Sequence, residues 1–242
     1  MAGALAYFLS KKGFRVLAID ADSSPNLALT LGISAEQAAK IVPISENQEL
    51  IRAKTETPYP GVYRLSFTVD DIVRDFAVKS PFNINLLVMG TIRAAGEGCA
   101  CNANALVRSL MRHLIVERDE AVVMDMEAGV EHMGRGTTKH VDTMLIITDS
   151  SLKSLETAKR IHALATEAGI KRVFLVGNKV AEKDEEDTIR RFALEDSLVL
   201  LDLIPNDKQI SRAERKGETP LSYAKSSTGL RVIGRVCERL LG

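Results

Sequence analysis

With 242 residues, of which 45% are hydrophobic, the chain can bury a sizeable core as one large α/β domain or two small ones. Its 32 basic side chains balance 32 acidic ones, which argues against bulk attraction to nucleic acid or an anionic membrane. No stretch reaches the roughly 18 uninterrupted apolar residues of a membrane span, and three cysteines, only two of them close together, make no disulfide framework, so a reducing, cytoplasmic setting is expected.

The opening Met1-Ala-Gly-Ala-Leu-Ala-Tyr-Phe-Leu-Ser10 is apolar but has no basic region before it and no cleavage-like site, which argues against a signal peptide. Phe14 to Ile19 reads as a buried strand ending at Asp20, with Asp22 following in the next loop. The segment from Pro43 to Pro81 carries prolines at 43, 58, 60 and 81 and has weak periodicity. It reads as an irregular excursion on one side of the sheet. Ile84 to Met89 is a second strand, closed by Gly90. A Gly96-Glu-Gly-Cys99-Ala-Cys101 turn then precedes an amphipathic helix from Asn102 to Val116. Further apolar runs span 121–124, 141–148, 173–176 and 198–203. The helix from Ser151 to Ala168 has Ser151 as its cap and Gly169 as its stop. Strands that are nearly continuous in apolar residues and alternate with helices predict a mostly parallel sheet with helices on both faces. The expectation is one nucleotide-binding α/β domain over residues 1–242, with the excursion at 43–81.

In open α/β sheets, ligands bind beyond the carboxyl ends of the strands. Asp20, Asp22 and Asp125 stand there. Acidic strand ends of this kind hold Mg²⁺ through waters and orient an attacking water, as phosphoryl transfer requires. The plainer reading, that these aspartates cap turns and helices, stays open. Gly129, four residues after Asp125, permits close backbone approach to a γ-phosphate and reordering on hydrolysis. Glu131 and His132 lie in the same loop, where a lone histidine is ordinarily solvated. Asn178-Lys179 and Pro205-Asn206-Asp207 each follow a strand, and an asparagine amide both donates and accepts, which suits a purine edge. Cys99 and Cys101 supply two of the four ligands a structural zinc takes. A two-fold dimer would bring the second pair across its axis, giving four thiolates suited to Zn²⁺ or to square-planar Ni²⁺. Cys237, in an amphipathic C-terminal helix, reads as core.

Leu86-Leu-Val-Met-Gly-Thr-Ile-Arg, the Gly-x-Gly-Cys-x-Cys turn, Val122-Val-Met-Asp-Met-Glu-Ala-Gly-Val-Glu-His and Arg135-Gly-Thr resemble the CooC-type ATPases. These are nickel-insertion maturation factors of carbon monoxide dehydrogenase, within the MinD/ParA/NifH class of dimeric P-loop proteins. The resemblance covers nearly the whole chain. It implies that Asp22 is the water-positioning switch residue, Asp20 lies in the outer shell of Mg²⁺, Asp125 is the Walker B aspartate and Gly129 is the second switch glycine. It also implies that Asn178 with Pro205, Asn206 and Asp207 forms the adenine pocket, and that Cys99 and Cys101 are the metal pair of a homodimer. The client would be carbon monoxide dehydrogenase or acetyl-CoA synthase, with no nucleic acid and no membrane involved. Members of the class open with a strand and a Gly-Lys-Gly-Gly-Val-Gly-Lys-Thr-Thr loop, and this chain matches only from the helix that follows. The resemblance therefore implies a sheet opened at its centre, unpaired edges, and little or no ATP hydrolysis by these residues alone. Two other readings remain: a non-catalytic metal-binding dimer, and a ParA- or MinD-type positioning ATPase.

Overall fold

The computed structural model of the chain describes residues 1–50, 69–90, 119–126, 141–223 and 225–242. It divides into two compact units, residues 2–127, and residues 128–242 together with Met1.

The first unit runs α1 (Ala2–Lys11), β1 (Arg15–Asp20), α2 (Leu27–Thr30), α3 (Ala35–Ala38), α4 (Val69–Phe76), β2 (Val78–Lys79), β3 (Ile84–Val88) and β4 (Glu120–Asp125). The excursion thus contains a helix and a short strand, with a 3₁₀ turn at Ile44–Glu46. The sheet order is β2-β3-β1-β4. β1 runs parallel to both β3 and β4, while β2 is antiparallel to β3. The apolar run of β1 places it at the centre, where strands are covered on both faces. Leu17 and Ile19 join Leu87, Val122, Met124 and Ile72 of α4 in one cluster. Strand alternation turns Val16 and Ala18 to the other face, and α1 packs on the same strands. The register sets Asp20 level with Val88 on one side and Asp125 on the other. Two acidic residues of distant sequence therefore end adjacent strands side by side.

The second unit runs β5 (Thr143–Thr148), α5 (Leu152–Glu167), β6 (Arg172–Val180), α6 (Lys183–Glu195), β7 (Val199–Pro205), α7 (Lys208–Arg215) and α8 (Thr228–Leu241). Its strands are all parallel, in the order β5-β6-β7. Ser151 caps α5 through the N–H of Ser154, and the chain turns out of that helix at Gly169, whose N–H donates to Thr166 O at 3.0 Å. At the start of α6 the Glu185 carboxylate accepts from the N–H groups of Ala181 (2.6 Å) and Glu182 (3.2 Å), satisfying donors a helix start leaves orphaned. Ile146, Leu155, Ala158, Leu175, Ile189, Ala193 and Leu198 form the core, and α8 covers β7.

The described strands form two sheets, of four and three strands. β4 and β5 each bond to a single neighbour, so both are edges among the described residues, although their apolar runs are those of interior strands. In β4 only Val123 is fully buried.

Candidate functional site

At the carboxyl end of the first sheet, Asp20 leaves β1 with 1% of its surface exposed. Its carboxylate is not idle. Oδ2 accepts from the Leu27 N–H at 2.8 Å and Oδ1 from the Asp22 N–H at 3.3 Å, so Asp20 ties the end of β1 to the start of α2. The Asp20 carbonyl accepts from Met89 N–H at 2.8 Å, and the Asp125 carbonyl accepts from Ala21 N–H at 2.9 Å. These backbone bonds fix the three strand exits to one another. Asp22 sits in the loop beyond, with Oδ1 accepting from the Ser24 N–H at 2.8 Å. Its Oδ2 accepts no hydrogen bond among the described residues.

Burial pushes the Asp20 carboxyl above the ordinary carboxylate range, against the lowering effect of its bonds from Leu27 and Asp22. Burial also raises Asp125, and the charges on Asp20 and Asp22 raise it further. Two neighbouring strand-end carboxyls raised in this way fit a divalent cation, whose charge favours their ionised forms. Among the described residues, no group of three His, Cys, Asp or Glu side chains is gathered closely enough to hold an ion by itself. Strand-end carboxylates in this number suit a hydrated cation such as Mg²⁺, which keeps several waters and takes one or two carboxylates.

The carboxyl end of the second sheet gathers Asn178 with Pro205, Asn206 and Asp207. β6 and β7 lose register between Gly177 and Val180, so Asn178 and Lys179 form a bulge. Lys179 has φ of 58°, a left-handed conformation uncommon for a residue with a side chain, and bulges re-aim side chains beside binding sites. The N–H of Asn206 donates to Val180 O at 2.8 Å, which draws the loop after β7 to the bulge. Sequence reasoning passed over the end of β5. There Asp149 Oδ1 accepts from Ser151 N–H (2.9 Å) and its hydroxyl (2.5 Å). These bonds hold the Asp149 carboxyl below its usual range, and the charge of Lys179 adds to them. The strand-end rule that singled out Asn178 points equally to Thr148-Asp149-Ser150-Ser151.

The structure thus brings together Asp20, Asp22 and Asp125 in one unit, and Asn178 with Pro205 to Asp207 in the other. Gly129, Glu131, His132, Cys99 and Cys101 lie outside the described residues, as does the expected helix from Asn102 to Val116. Cys237 is buried in α8, as expected. Among the described residues, no helix is long and apolar enough to cross a membrane.

Residues 1–221 match the CobQ/CobB/MinD/ParA nucleotide-binding domain. The carbon monoxide dehydrogenase accessory protein CooC of Rhodospirillum rubrum is 42% identical over 219 residues, covering 90% of this chain and 82% of that protein. An uncharacterised ATP-binding protein of Methanocaldococcus jannaschii is 41% identical over 224 residues, covering 90% of this chain and 84% of its own length. Among solved structures, a ParA family ATPase from Chlorobium tepidum superposes with a TM-score of 0.71 at 18% identity, over 99% of this chain and 91% of that one. The septum site-determining protein MinD of Pyrococcus horikoshii, complexed with Mg-ADP, gives 0.68 at 17% identity, over 99% and 88%. At that identity the two structures speak to fold alone: an α/β fold of the P-loop NTPase kind. Family match and sequence identity together place the chain in the CobQ/CobB/MinD/ParA nucleotide-binding family, among its CooC-type accessory ATPases.

Proposed function

We propose that the chain is an ATP-dependent maturation factor that works as a homodimer and assists nickel insertion into carbon monoxide dehydrogenase or acetyl-CoA synthase. The observation that carries the nucleotide part is the convergence of Asp20, Asp22 and Asp125 at one sheet end, with burial raising two of them. Identity to a carbon monoxide dehydrogenase accessory protein supports the client.

In this reading Asp22 orients the attacking water through the carboxylate oxygen that its turn leaves open. Asp125 would hold Mg²⁺ through its waters, and Asp20 would support it while anchoring the loop. The cation would neutralise charge developing on the phosphate oxygens. Gly129 follows the γ-phosphate. Asn178 and the Pro205–Asp207 loop receive the purine. Cys99 and Cys101, meeting their counterparts across a two-fold axis, take Ni²⁺ or Zn²⁺.

The 242 residues contain no Gly-Lys-Gly-Gly-x-Gly-Lys-Thr run, so the backbone cradle that such a loop offers to phosphates is not supplied by them. Hydrolysis is therefore expected from a chain carrying that loop upstream and little from these residues alone. Both forms are assayed side by side, with Asp22→Asn and Asp125→Asn in the longer one. Loss of turnover in both variants supports the assignment, and equal turnover by the two unmutated forms overturns it. For the metal, equilibrium dialysis under reducing conditions should find one thiophilic ion per dimer, lost in Cys99→Ser/Cys101→Ser. A monomer that retains no Ni²⁺ or Zn²⁺ in the longer form refutes the metal role.

A further inference from the structure

The Asp207 carboxylate is the most heavily committed polar group at the end of the second sheet. Oδ1 accepts from the Gln209 N–H at 2.7 Å, in the first turn of α7. Oδ2 accepts from the Ser227 hydroxyl at 2.7 Å and from the Gly229 N–H at 2.9 Å, both at the start of α8. Ser227 is 1% exposed, and its oxygen also accepts from Leu230 N–H at 3.0 Å, capping α8. A second tie runs parallel, from the Ser226 hydroxyl to Gln209 Oε1 at 2.9 Å. Gly229 allows the approach: a Cβ there would lie 3.3 Å from Asp207 Cβ and 3.1 Å from Ile210 Cδ1. Burial pulls the Asp207 carboxyl upward, but the bonds from Ser227, Gly229 and Gln209 outweigh it and hold the group below its usual range. It is an ionised acceptor largely occupied by the protein's own donors. Asn206, its neighbour, is exposed and is hooked to β6 through its N–H on Val180 O.

We propose that Asp207 is a positioning residue of the purine site: clamped by α7 and α8, it holds the Pro205–Asn206 turn against the Asn178–Lys179 bulge, so that Asn178 and Asn206 meet the base edge and Asp207 does not. The role rests on the nucleotide reading above. A carboxylate that already accepts three of roughly four possible hydrogen bonds has little left for the exocyclic amine of adenine. A turn held from two sides presents Asn206 in one orientation, which lowers the ordering cost of binding.

The test titrates the longer form that carries the phosphate loop upstream, in Mg²⁺, with a fluorescent ADP analogue, and follows each variant's stability by urea unfolding. Ser227→Ala removes one clamp donor, Gly229→Ala pushes the α8 arm away, and Asp207→Ala removes the acceptor. Each is expected to weaken binding about tenfold, with the Ser227→Ala and Asp207→Ala losses strongly non-additive in the double variant because they break one interaction. Asn206→Ala should weaken binding in the native background and have little further effect beside Asp207→Ala. Preference for ADP over GDP should change with Asn178→Ala and not with Ser227→Ala. Native affinity in Ser227→Ala, Gly229→Ala and Asp207→Ala, with stability alone reduced, overturns the positioning role while Asn178→Ala still weakens binding. No binding by the unmutated longer form, or native-like binding by its Asn178→Ala variant, overturns the purine reading and this role with it.

Discussion

Gly90 closes β3 beside the Asp20 strand exit and carries two separate penalties for any side chain. Its φ is 75°. A Cβ there would run into Ser45 Oγ and would sit 2.7 Å from Pro43 Cβ. The serine hydroxyl can rotate away, but the proline ring is rigid. Gly13, between α1 and β1, has a φ of 95° and nothing within 4 Å of a built Cβ. Both glycines belong to the same compact unit, so their alanine variants report on one unfolding transition. The left-handed conformation costs alanine about 1–2 kcal/mol, and the stiffer unfolded chain returns roughly 0.4–1 kcal/mol. Gly13→Ala should therefore lose about 1 kcal/mol. Gly90→Ala adds an overpacking cost of about 1–3 kcal/mol, for a total of roughly 2–4 kcal/mol. Urea unfolding followed by far-UV circular dichroism measures both, on the condition that the slope against denaturant is unchanged. The extra loss has a functional address. The 43–45 turn is tied to β3 by Ser45 N–H on Met89 O, and Met89 N–H bonds to Asp20 O, so relieving the clash pulls on the acidic strand exit. A Gly90→Ala loss no larger than that of Gly13→Ala would show that the turn yields freely and that this packing does not hold the site.

Two further outcomes are expected. Burial raises the Asp20 and Asp125 pKa values, so the folded chain holds these protons more tightly than the unfolded one. Their contribution to stability is complete below the unfolded value and is lost as pH rises through the raised folded values. A cation that pairs with the carboxylates acts the opposite way. Added Mg²⁺ should therefore raise the melting temperature more at about pH 7 than at about pH 5, and less in Asp125→Asn. Equal shifts at both pH values would remove the carboxylates as its site. In the second unit, Arg235 pairs with Asp202 at 3.3 Å with half its side chain in solvent, and Arg239 stands 3.6 Å from the same carboxylate. Arg235→Ala should change stability by less than about 1 kcal/mol, and a larger loss in the melt would mean the pair is not screened as its exposure implies.

Much of the fold is legible in the chain because its code is local. Apolar runs of strand length mark β1 and β3 to β7 to within two residues of their observed starts, and Ser151 and Gly169 mark the limits of α5 through cap chemistry that acts within one turn. Asp20 and Asp125 could be named as strand ends for the same reason. Their pairing could not, because register depends on which strand lies beside which, and that is settled by packing over the whole sheet. The bulge at Asn178–Lys179 was equally hidden: it exists because β7 ties to β6 on the far side of it. In β4 and β5 the local pattern describes interior strands, while among the described residues they stand at edges, since hydrogen-bonding neighbours come from elsewhere in the chain. Asp207 makes the contrast most sharply. Residue type and place after a strand suggest a ligand contact, yet its donors come from Ser227 and Gly229, some twenty positions on. Side-chain period and capping belong to the sequence itself; which acceptors remain open for a ligand is decided only when distant helices close around them, since a hydrogen bond is counted between atoms in space and not along the chain.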